Sequence, residues 1–428
     1  MARIVLNTFG SFGDIHPYLA IAIELQRRGH IAVIATSEVY RAKIKAEGVQ
    51  FAAIRPDVGE LMGNTAFLAK LWHPKLGSMY LLRDYLLPAV KEGYEDLSAA
   101  CSGADFLLTH AAGYAGPLVA EKLKLRWLSI ALQPAILFSI MDPPVLAAAT
   151  WLRYFYALGN WPFGLLMHGA RWQTRRWAKP VLELRRQLGL HTEVNPVIEG
   201  QFSPFGTLAL FSPQFAAPQL DWPVNIQTTG FLFYDRRGEG FGLPPEHPSG
   251  LSEGLKKFLD SGPAPLLFTL GSSAVMQPGS FYTESAMAAK ALGMRAVMLV
   301  GKGENVAVQP DDSLHVEEYA SYAALMPRCA AIVHQGGIGT VAQALRSGRP
   351  MLVVPWAHDQ PDNAERLRGL GVARVQNRGS YTAAAATKHL RELTRNETYS
   401  HKAAALAKSI SQEDGLTVTC NAIEAALS

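Results

Sequence analysis

The chain has 428 residues, 49% of them hydrophobic and 18% charged, a composition that excludes a disordered or fibrous protein. Its 40 basic and 36 acidic residues give a net charge of +4, which does not favour nucleic acid as a partner. The length predicts two or three domains with ample cores.

The N-terminal half alternates short apolar runs with amphipathic ones, a pattern typical of β–α–β units. We predict strands at 4–9, 31–35, 51–54, 106–109 and 127–131. We predict helices at 17–28, 39–46 and 115–123, and a broken helical stretch at 61–101. Pro17 is expected in the first turn of the first helix, which Gly29 ends. The loop over 10–17 lacks the full G-x-G-x-x-G spacing, so it does not indicate a dinucleotide site.

Residues 143–186 are unusual because they are first aromatic and then basic. The aromatic part holds four tryptophans, and the basic part holds arginines and Lys179. Three interpretations stay open: a hydrophobic acceptor pocket, buried helices with solvated basic edges, and a face that contacts a membrane.

The segment 216–262 is rich in Gly, Pro and polar residues, and we interpret it as an interdomain connection. A second α/β unit follows over 263–402, with strands at 266–270, 296–300, 332–334 and 352–355. We therefore predict two facing Rossmann-like domains with doubly wound parallel sheets, the first over 1–215, and a final helix within 403–428. Functional sites in such sheets lie at the carboxyl ends of the strands.

Residues 334–348 carry the most informative motif. His334 follows a short apolar strand, and Gly336, Gly337 and Gly339 then make a tight turn with bare backbone amides. Thr340 opens an apolar periodic run that reaches Gly348. A glycine-rich turn at the start of a helix binds phosphate, because the first N–H groups and the helix dipole favour an anion.

The next strand, at 351–355, leads to an acid and an amide side by side, Asp359 and Gln360. These groups suit the hydroxyls of a sugar. The spacing of the two loops therefore predicts a nucleotide-sugar site, with the diphosphate at the first loop and the sugar at the second.

The pattern H-x-G-G-x-G-T, G-x-P and P-x-x-x-D-Q-x-x-N-A over 334–364 resembles the donor signature of glycosyltransferase family 1, the UDP/dTDP-glycosyltransferase superfamily. The whole chain most resembles its bacterial rhamnosyltransferase and sterol-glycosyltransferase branch. The resemblance implies the GT-B fold, in which the N-terminal domain binds the acceptor and the C-terminal domain binds the donor. It also implies that the last helix, over 403–428, returns to the N-terminal domain.

Sugar transfer with inversion needs a base for the acceptor hydroxyl and stabilisation of the departing diphosphate. The second task is assigned to His334, the Gly339 and Thr340 amides, the Thr340 hydroxyl and Ser272. The sequence offers no cluster of metal ligands and no cofactor motif. We expect a metal-independent reaction, with a UDP- or dTDP-hexose as the co-substrate.

The resemblance also points to the base. The family places a histidine in G-H-x-x-P after the first strand, and Asp14 takes its place here, as in the sterol and glycopeptide branches. Asp14 is the first candidate for the base; the alternative is that it is an ordinary helix N-terminal residue. His16 is the second candidate, and its alternative is a surface histidine. The family's histidine enzymes pair that base with an acid after a later strand. His110 stands at that place with no acid beside it, so Asp14 is expected to act unpaired.

The remaining assignments follow the same resemblance. Tyr319 and Ala320 fall where the family stacks and hydrogen-bonds the nucleotide base. Ala342 replaces a ribose-binding glutamate, so a dTDP donor stays open beside UDP. Asn363 binds the donor or braces its loop. The acceptor side is assigned to three residues: Phe12, His110 and Gln133. For His110, a structural role stays open as the alternative.

We therefore predict transfer of a hexose, with inversion, from a UDP- or dTDP-sugar to a hydroxyl of a hydrophobic acceptor such as a lipid hydroxy acid, sterol, polyketide or phenolic. The alternatives are a lipid-linked N-acetylglucosaminyl transferase, a nucleotide-sugar epimerase and a catalytically silent partner protein of the same fold.

The sequence also gives expectations about partners and location. We expect no nucleic acid and a monomer or weak dimer. Three widely spaced cysteines, a first strand that begins at once and no membrane-spanning run favour the cytoplasm. Peripheral contact with the inner membrane face is kept as an alternative.

Overall fold

Short apolar runs form the strands of two parallel sheets in the computed structural model. The structure describes residues 1–59, 64–190, 194–235, 250–272, 274–301 and 308–427. Of these residues, 1–234 and 414–427 form a first compact unit, and the described residues from 235 to 413 form a second. The prediction of two parallel-sheet α/β domains is confirmed.

The first unit is built on a seven-stranded sheet in the order β3-β2-β1-β4-β5-β6-β7, with every pair parallel. Its strands are β1 (Arg3–Asn7), β2 (Ile31–Thr36), β3 (Gln50–Ala53), β4 (Phe106–His110), β5 (Arg126–Ala131), β6 (Thr207–Ala209) and β7 (Ile226–Thr228). The central strands are almost wholly buried and apolar, since helices cover both faces of the sheet.

The helices of the first unit connect and cover these strands. They are α1 (Phe12–Arg27), α2 (Arg41–Ala46), α3 (Thr65–Leu71), α4 (Gly77–Leu81), α5 (Val90–Ala100), α6 (Ala115–Leu123), α7 (Trp161–Trp177) and α8 (Lys179–Gln187). A π-helical turn (Leu82–Leu86) and 3-10 segments (Glu38–Tyr40, Pro134–Leu137, Ala147–Leu158) complete the unit.

The second unit repeats the plan with a six-stranded parallel sheet in the order β10-β9-β8-β11-β12-β13. Its strands are β8 (Leu266–Thr269), β9 (Ala296–Leu299), β10 (Leu314–Glu317), β11 (Ala331–His334), β12 (Met351–Val353) and β13 (Ala373–Val375). Its helices are α9 (Glu253–Asp260), α10 (Phe281–Leu292), α11 (Tyr322–Leu325), α12 (Ile338–Ser347), α13 (Gln360–Gly369), α14 (Ala383–Arg395) and α15 (Glu397–Ile410). Helix α16 (Gly415–Leu427) belongs to the first unit.

In each sheet the strand order reverses at one place. The chain winds from β1 outward to β3, and then restarts at β4 on the other side of β1. Asn7 lies opposite both Ala35 and Thr109 at this point. The second unit reverses between β8 and β11, where Phe268 lies opposite Val333. Ligand sites form at such reversals, because the connections lead away to both sides and leave the strand ends uncovered.

The first helix begins earlier than predicted. It starts at Phe12 with Ser11 as its N-cap, so Pro17 lies inside the helix and the expectation that Pro17 occupies the first turn is wrong. The reason is a capping box: the Asp14 carboxylate accepts the Ser11 N–H, and the Ser11 hydroxyl accepts the Gly13 N–H. These bonds nucleate the helix ahead of the proline, which removes one backbone hydrogen bond.

Other boundaries also differ from the sequence predictions. Strand β7 carries the first sheet past residue 215. It is a three-residue edge strand that is not fully buried, so it shows no hydrophobic pattern in the sequence. The predicted final helix is two helices, and the Asp414 side chain accepts the Thr417 N–H as α16 begins. The predicted stretch at 61–63, Ser273 and the segment 236–249 lie outside the described residues.

The aromatic region 143–186 is only partly core. On α7, Phe163 and Met167 are buried, whereas Trp161 and Trp172 are 61% and 65% exposed. The buried-helix interpretation therefore holds for one face of α7 and not for the other. Within the described ranges, every helix is too short or too polar to cross a bilayer.

Helix α16 anchors the end of the chain on the first unit. Arg28 at the end of α1 donates to Glu424 at 2.7 Å, and Ile423 is fully buried. A Cβ on Gly415 would lie 2.8 Å from the Phe231 carbonyl oxygen, so glycine permits this close approach. The buried face of α16 therefore contributes to the stability of the first unit.

We expect Ile423→Ala to destabilise the first unit by about 2–5 kcal/mol, because a cavity replaces buried methyl groups. Urea unfolding followed by circular dichroism measures the change. Thr417→Ala, at an exposed position of the same helix, is the matched control and should change stability by about 0.5 kcal/mol or less. Equal effects of both substitutions would show that α16 does not pack as described.

Candidate functional site

His334 ends β11 at the strand-order reversal of the second sheet, and its side chain is fully buried. Its Nδ1 accepts the Gly336 N–H at 3.1 Å, so the proton of the neutral ring is assigned to Nε2. Nε2 is buried and finds no hydrogen-bond partner in the described part of the chain. Burial lowers the His334 pKa to about 3, so the ring stays neutral and presents one unused donor.

Helix α12 starts beside this histidine. Its N-cap is Gly337, and within the described ranges no side chain caps the first turn. The Gly339 and Thr340 amides lie in that turn, where the helix dipole favours an anion. Glycines thus leave the helix end open, as the motif predicted, and the predicted phosphate loop has the geometry for this role.

Gln335 is a residue that the sequence analysis did not single out. Its side chain is buried, and its Nε2 donates to the Thr340 hydroxyl at 3.5 Å. Gly271 follows β8 with φ +67°, and a Cβ there would lie 2.3 Å from Gln335 Nε2. Gln335 therefore joins the loops after β8 and β11. The signal for it was its place inside the motif, between His334 and Gly336.

The second loop precedes and opens α13. Gln360 is buried, and its Oε1 accepts the N–H groups of Trp356 and Ala357 at 2.7 and 3.2 Å. Asn363 Nδ2 donates to the Gly336 carbonyl at 2.9 Å and to the half-buried Asp359 carboxylate at 2.6 Å. Asn363 thus braces the loop, which is one of the two roles that the sequence allowed. The Gln360 side-chain oxygen binds backbone N–H groups of its own loop. Asp359 is the carboxylate that these contacts orient.

The other predicted donor residues follow strands β8 and β10. Ser272 is exposed after β8, whereas the half-buried Tyr319 and buried Ala320 follow β10. Two strands, β9 and β8, separate β10 from β11. At roughly 4.8 Å per strand, this places the two ends of the site about 14 Å apart. An extended ligand is required to contact both ends.

Asp14 lies at the strand-order reversal of the first sheet, in the first turn of α1. Its Oδ2 accepts the Ser11 N–H at 2.7 Å and the Ser11 hydroxyl at 3.3 Å. The side chain is 24% exposed, and burial outweighs these hydrogen bonds to raise the Asp14 pKa to about 6. Gly10 has φ +135°, and a Cβ there would lie 2.2 Å from Oδ2, so the carboxylate needs glycine beside it.

His110 ends β4 and lies beside Asp14. Its Nδ1 accepts the Ala112 N–H at 3.1 Å, and its Nε2 is 3.6 Å from Asp14 Oδ1. The side chain is buried, which lowers the His110 pKa to about 4. The residue after β4 that lies beside Asp14 is thus a neutral histidine and not an acid, and the expectation that Asp14 acts without a partner acid stays a prediction. The sequence could not show the contact, because only the β1–β4 pairing brings the two residues together.

His16 and Phe12 form a separate aromatic group on α1. Their rings stack with centroids 5.2 Å apart, and His16 lies 4.9 Å from the Tyr234 ring. Two residues along an α-helix are about 200° apart, so His16 leaves α1 on the face opposite Asp14. Gln133, after β5, is half-buried, and its Oε1 is buried with no hydrogen-bond partner among the residues that the structure describes.

The geometry supports two chemical capacities. The second unit can hold an anion between a neutral histidine N–H and an open helix end, with an oriented carboxylate on the next loop. The first unit holds a carboxylate that is more basic than usual at the equivalent reversal point. In the described ranges, no cluster of three or more His, Cys, Asp or Glu side chains could hold a metal ion.

Two family models match this chain. Residues 4–124 match the glycosyltransferase family 28 N-terminal domain, and residues 295–419 match the C-terminal domain of erythromycin biosynthesis protein CIII-like proteins. O-mycaminosyltylonolide 6-deoxyallosyltransferase of Streptomyces fradiae is 30% identical over 99% of this chain and 97% of its own length. The two matched segments contain the Asp14 and His334 loops, respectively.

Similarity extends to sterol enzymes and to solved structures. A sterol 3-beta-glucosyltransferase of Cryptococcus neoformans is 27% identical over 98% of this chain, which spans only 27% of that longer protein. The structure of spinosyn rhamnosyltransferase SpnG complexed with thymidine diphosphate aligns with a TM-score of 0.68 at 15% identity, over 99% of this chain and 100% of its own.

The full-length similarity to a glycosyltransferase, the two domain matches and the shared two-sheet architecture agree with the motif over 334–364. The chain therefore belongs to glycosyltransferase family 1, the UDP/dTDP-glycosyltransferase superfamily, and is a hexosyltransferase with the GT-B fold.

Proposed function

We propose that this enzyme transfers a hexose, with inversion and without a metal ion, from a UDP- or dTDP-sugar to a hydroxyl of a hydrophobic acceptor. The observation that carries the proposal is the buried His334 Nε2–H beside the open start of α12. A relative crystallised with thymidine diphosphate supports a pyrimidine diphosphate donor. Relatives named for a macrolide and for sterols support a hydrophobic acceptor.

The diphosphate accepts hydrogen bonds from His334 Nε2 and from the first-turn amides of α12. As the bond to the sugar breaks, negative charge grows on the leaving oxygen, and fixed donors stabilise this charge without reorganising. His334 does this as a neutral ring, since its pKa is about 3. Asp359, oriented by Asn363, accepts hydrogen bonds from sugar hydroxyls.

Asp14 accepts the proton of the acceptor hydroxyl. A single displacement puts the attacking oxygen and the departing diphosphate on opposite sides of the anomeric carbon, which inverts its configuration. With a pKa of about 6, Asp14 is ionised at neutral pH and is a stronger base than an ordinary aspartate. His16 is the second candidate, but its ring packs with Phe12 and Tyr234 on the opposite face of α1.

The exposed face of α7 is the proposed membrane contact. Trp161, Leu165 and Trp172 recur at helical spacing on one face and are all more than 60% exposed. Between Asp142 and Glu183 the chain has five Arg and Lys residues and no acidic one. Tryptophan beside arginine is typical of helices that lie on an anionic lipid surface. Contact there would bring the enzyme close to lipid-dissolved acceptors.

Replacing His334 by alanine removes one donor to the diphosphate, and we expect UDP and dTDP to bind about 10- to 100-fold more weakly. Isothermal titration calorimetry measures this change. His401→Ala is the matched control, since His401 is exposed on α15 of the same unit. Unchanged nucleotide affinity in His334→Ala would contradict the donor site.

Transfer itself is tested by mass spectrometry with UDP-glucose, UDP-galactose, UDP-N-acetylglucosamine and dTDP-rhamnose against a panel of hydrophobic alcohols and phenols. Because the base must be ionised, we expect kcat/KM to fall about tenfold per pH unit below pH 6 and to level off above it. Asp14→Asn should lose about 100- to 10,000-fold in kcat and show no such acid limb.

The matched comparison for this experiment is His16→Gln. If Asp14 is the base, His16→Gln retains the acid limb near pH 6. Loss of that limb in His16→Gln, with full activity in Asp14→Asn, would transfer the role to His16. NMR of the product's anomeric configuration tests inversion, and activity after exhaustive chelation tests metal independence.

For the α7 face, we expect the double variant Trp161→Ser/Trp172→Ser to bind phosphatidylserine-containing vesicles about tenfold more weakly than the wild type. Co-sedimentation measures this, and 0.5 M salt should weaken wild-type binding as well. The matched control is Leu220→Ser/Val224→Ser, at exposed apolar positions of the same unit. Equal vesicle binding by all three proteins, or self-association lost only in the tryptophan variant, would overturn the lipid contact.

A further inference from the structure

We propose that His110 is the positioning residue for Asp14, donating its Nε2–H to Oδ1 and thereby setting the direction and basicity of the carboxylate. This inference rests on the proposed function, in which Asp14 takes the acceptor proton. The observation that carries it is the 3.6 Å separation between His110 Nε2 and Asp14 Oδ1, with the tautomer of the ring fixed from its other side.

A backbone N–H group in the loop after β4 determines the tautomer of His110. The Ala112 N–H donates to His110 Nδ1 at 3.1 Å, so Nδ1 must be an acceptor and the proton of the neutral ring lies on Nε2. The Gly113 N–H donates to the His110 carbonyl at 2.8 Å. A Cβ on Gly113 would lie 2.5 Å from Asn7 Oδ1 at the end of β1. Glycine thus lets this loop close tightly against the neighbouring strand.

The carboxylate is held from the other side. Ser11 occupies Oδ2 with its N–H and its hydroxyl, so Oδ1 is the oxygen left to face His110 and the substrate. A distance of 3.6 Å is slightly longer than a direct hydrogen bond, and catalytic hydrogen bonds commonly shorten when the substrate is bound. An ionised carboxylate oxygen has a second lone pair, which accepts the proton of the acceptor hydroxyl.

Three titratable side chains surround Asp14 in the described structure. His110 has a pKa lowered to about 4 by burial, and burial together with the Asp14 charge raises the pKa of Tyr18 and Tyr40. Tyr18 lies edge-on to the His110 ring, and the Tyr40 hydroxyl donates to the Gly10 carbonyl. All three are neutral near pH 6, so none of them adds an ionisation of its own to the acid limb of the activity profile.

The proton balance assigns separate roles to the pair. The acceptor O–H bond breaks and its proton moves to Asp14 Oδ1, while the acceptor oxygen forms its bond to the anomeric carbon. The bond from that carbon to the diphosphate breaks, and its electron pair leaves with the diphosphate. His110 keeps its Nε2 proton throughout, so it acts through Asp14 and not on the substrate.

The test measures the pH dependence of kcat/KM for the wild type, Asp14→Asn, His110→Leu and His110→Gln. Losing a donor to the carboxylate raises the Asp14 pKa, so the acid limb of His110→Leu should move up by about one pH unit. His110→Gln keeps an N–H donor of similar reach and should restore the limb towards pH 6. A merely structural histidine would change the thermal stability and leave the limb in place.

Failure of this inference can be told apart from failure of the proposed function. No transfer by the wild type, or full transfer by Asp14→Asn, would remove the proposed function. Transfer that depends on Asp14, with an unmoved limb in His110→Leu, would overturn only the role of His110. A ¹⁵N NMR measurement of histidine-labelled wild type, assigned with His110→Gln, gives a second readout. The Nε2–H tautomer at pH 7 supports the inference, and an Nδ1–H tautomer overturns it.

Discussion

The reversal of strand order in each sheet is the constraint on which the rest of the structure depends. Helices cover a parallel sheet on both faces, so only the carboxyl ends of the strands can present polar groups to a ligand. At β1/β4 and β8/β11 the connections lead in opposite directions, and residues far apart in sequence meet there. Asp14 meets His110 at the first reversal, and Gly271 meets Gln335 at the second.

Burial at these strand ends gives the side chains their chemical properties. An unpaired buried donor or a poorly solvated carboxylate costs stability, and a ligand recovers part of that cost when it binds. Here burial keeps two histidines neutral and makes Asp14 more basic. The glycines at 10 and 271 matter for the same reason, since a Cβ at either would occupy the space of a functional side chain.

The sequence predicted the central strands, the two sheets and the glycine-rich turn that opens α12, because buried parallel strands and glycine-rich turns leave strong local signals. It did not predict the three-residue β6, nor β7, β10 and β13, which are edge strands that carry polar residues and are only partly buried. It placed the start of α1 at Pro17, because the proline signal outweighed a capping box that becomes visible only when Ser11 and Asp14 are taken together. The Asp14–His110 contact and the Gln335 link depend on strand pairing, which single-sequence patterns do not contain.

The two units share a local arrangement of a histidine and the turn after it, which the sequence does not reveal. His110 ends β4 and His334 ends β11, each on the strand that restarts its sheet across the reversal. In both, Nδ1 accepts the backbone N–H two residues later at 3.1 Å, so Nε2–H points away from the loop. The partners differ: one Nε2–H faces the Asp14 carboxylate, and the other finds none among the described residues. A neutral donor fixed this way suits an anion, so the same turn can orient a carboxylate in one unit and hold a phosphate in the other.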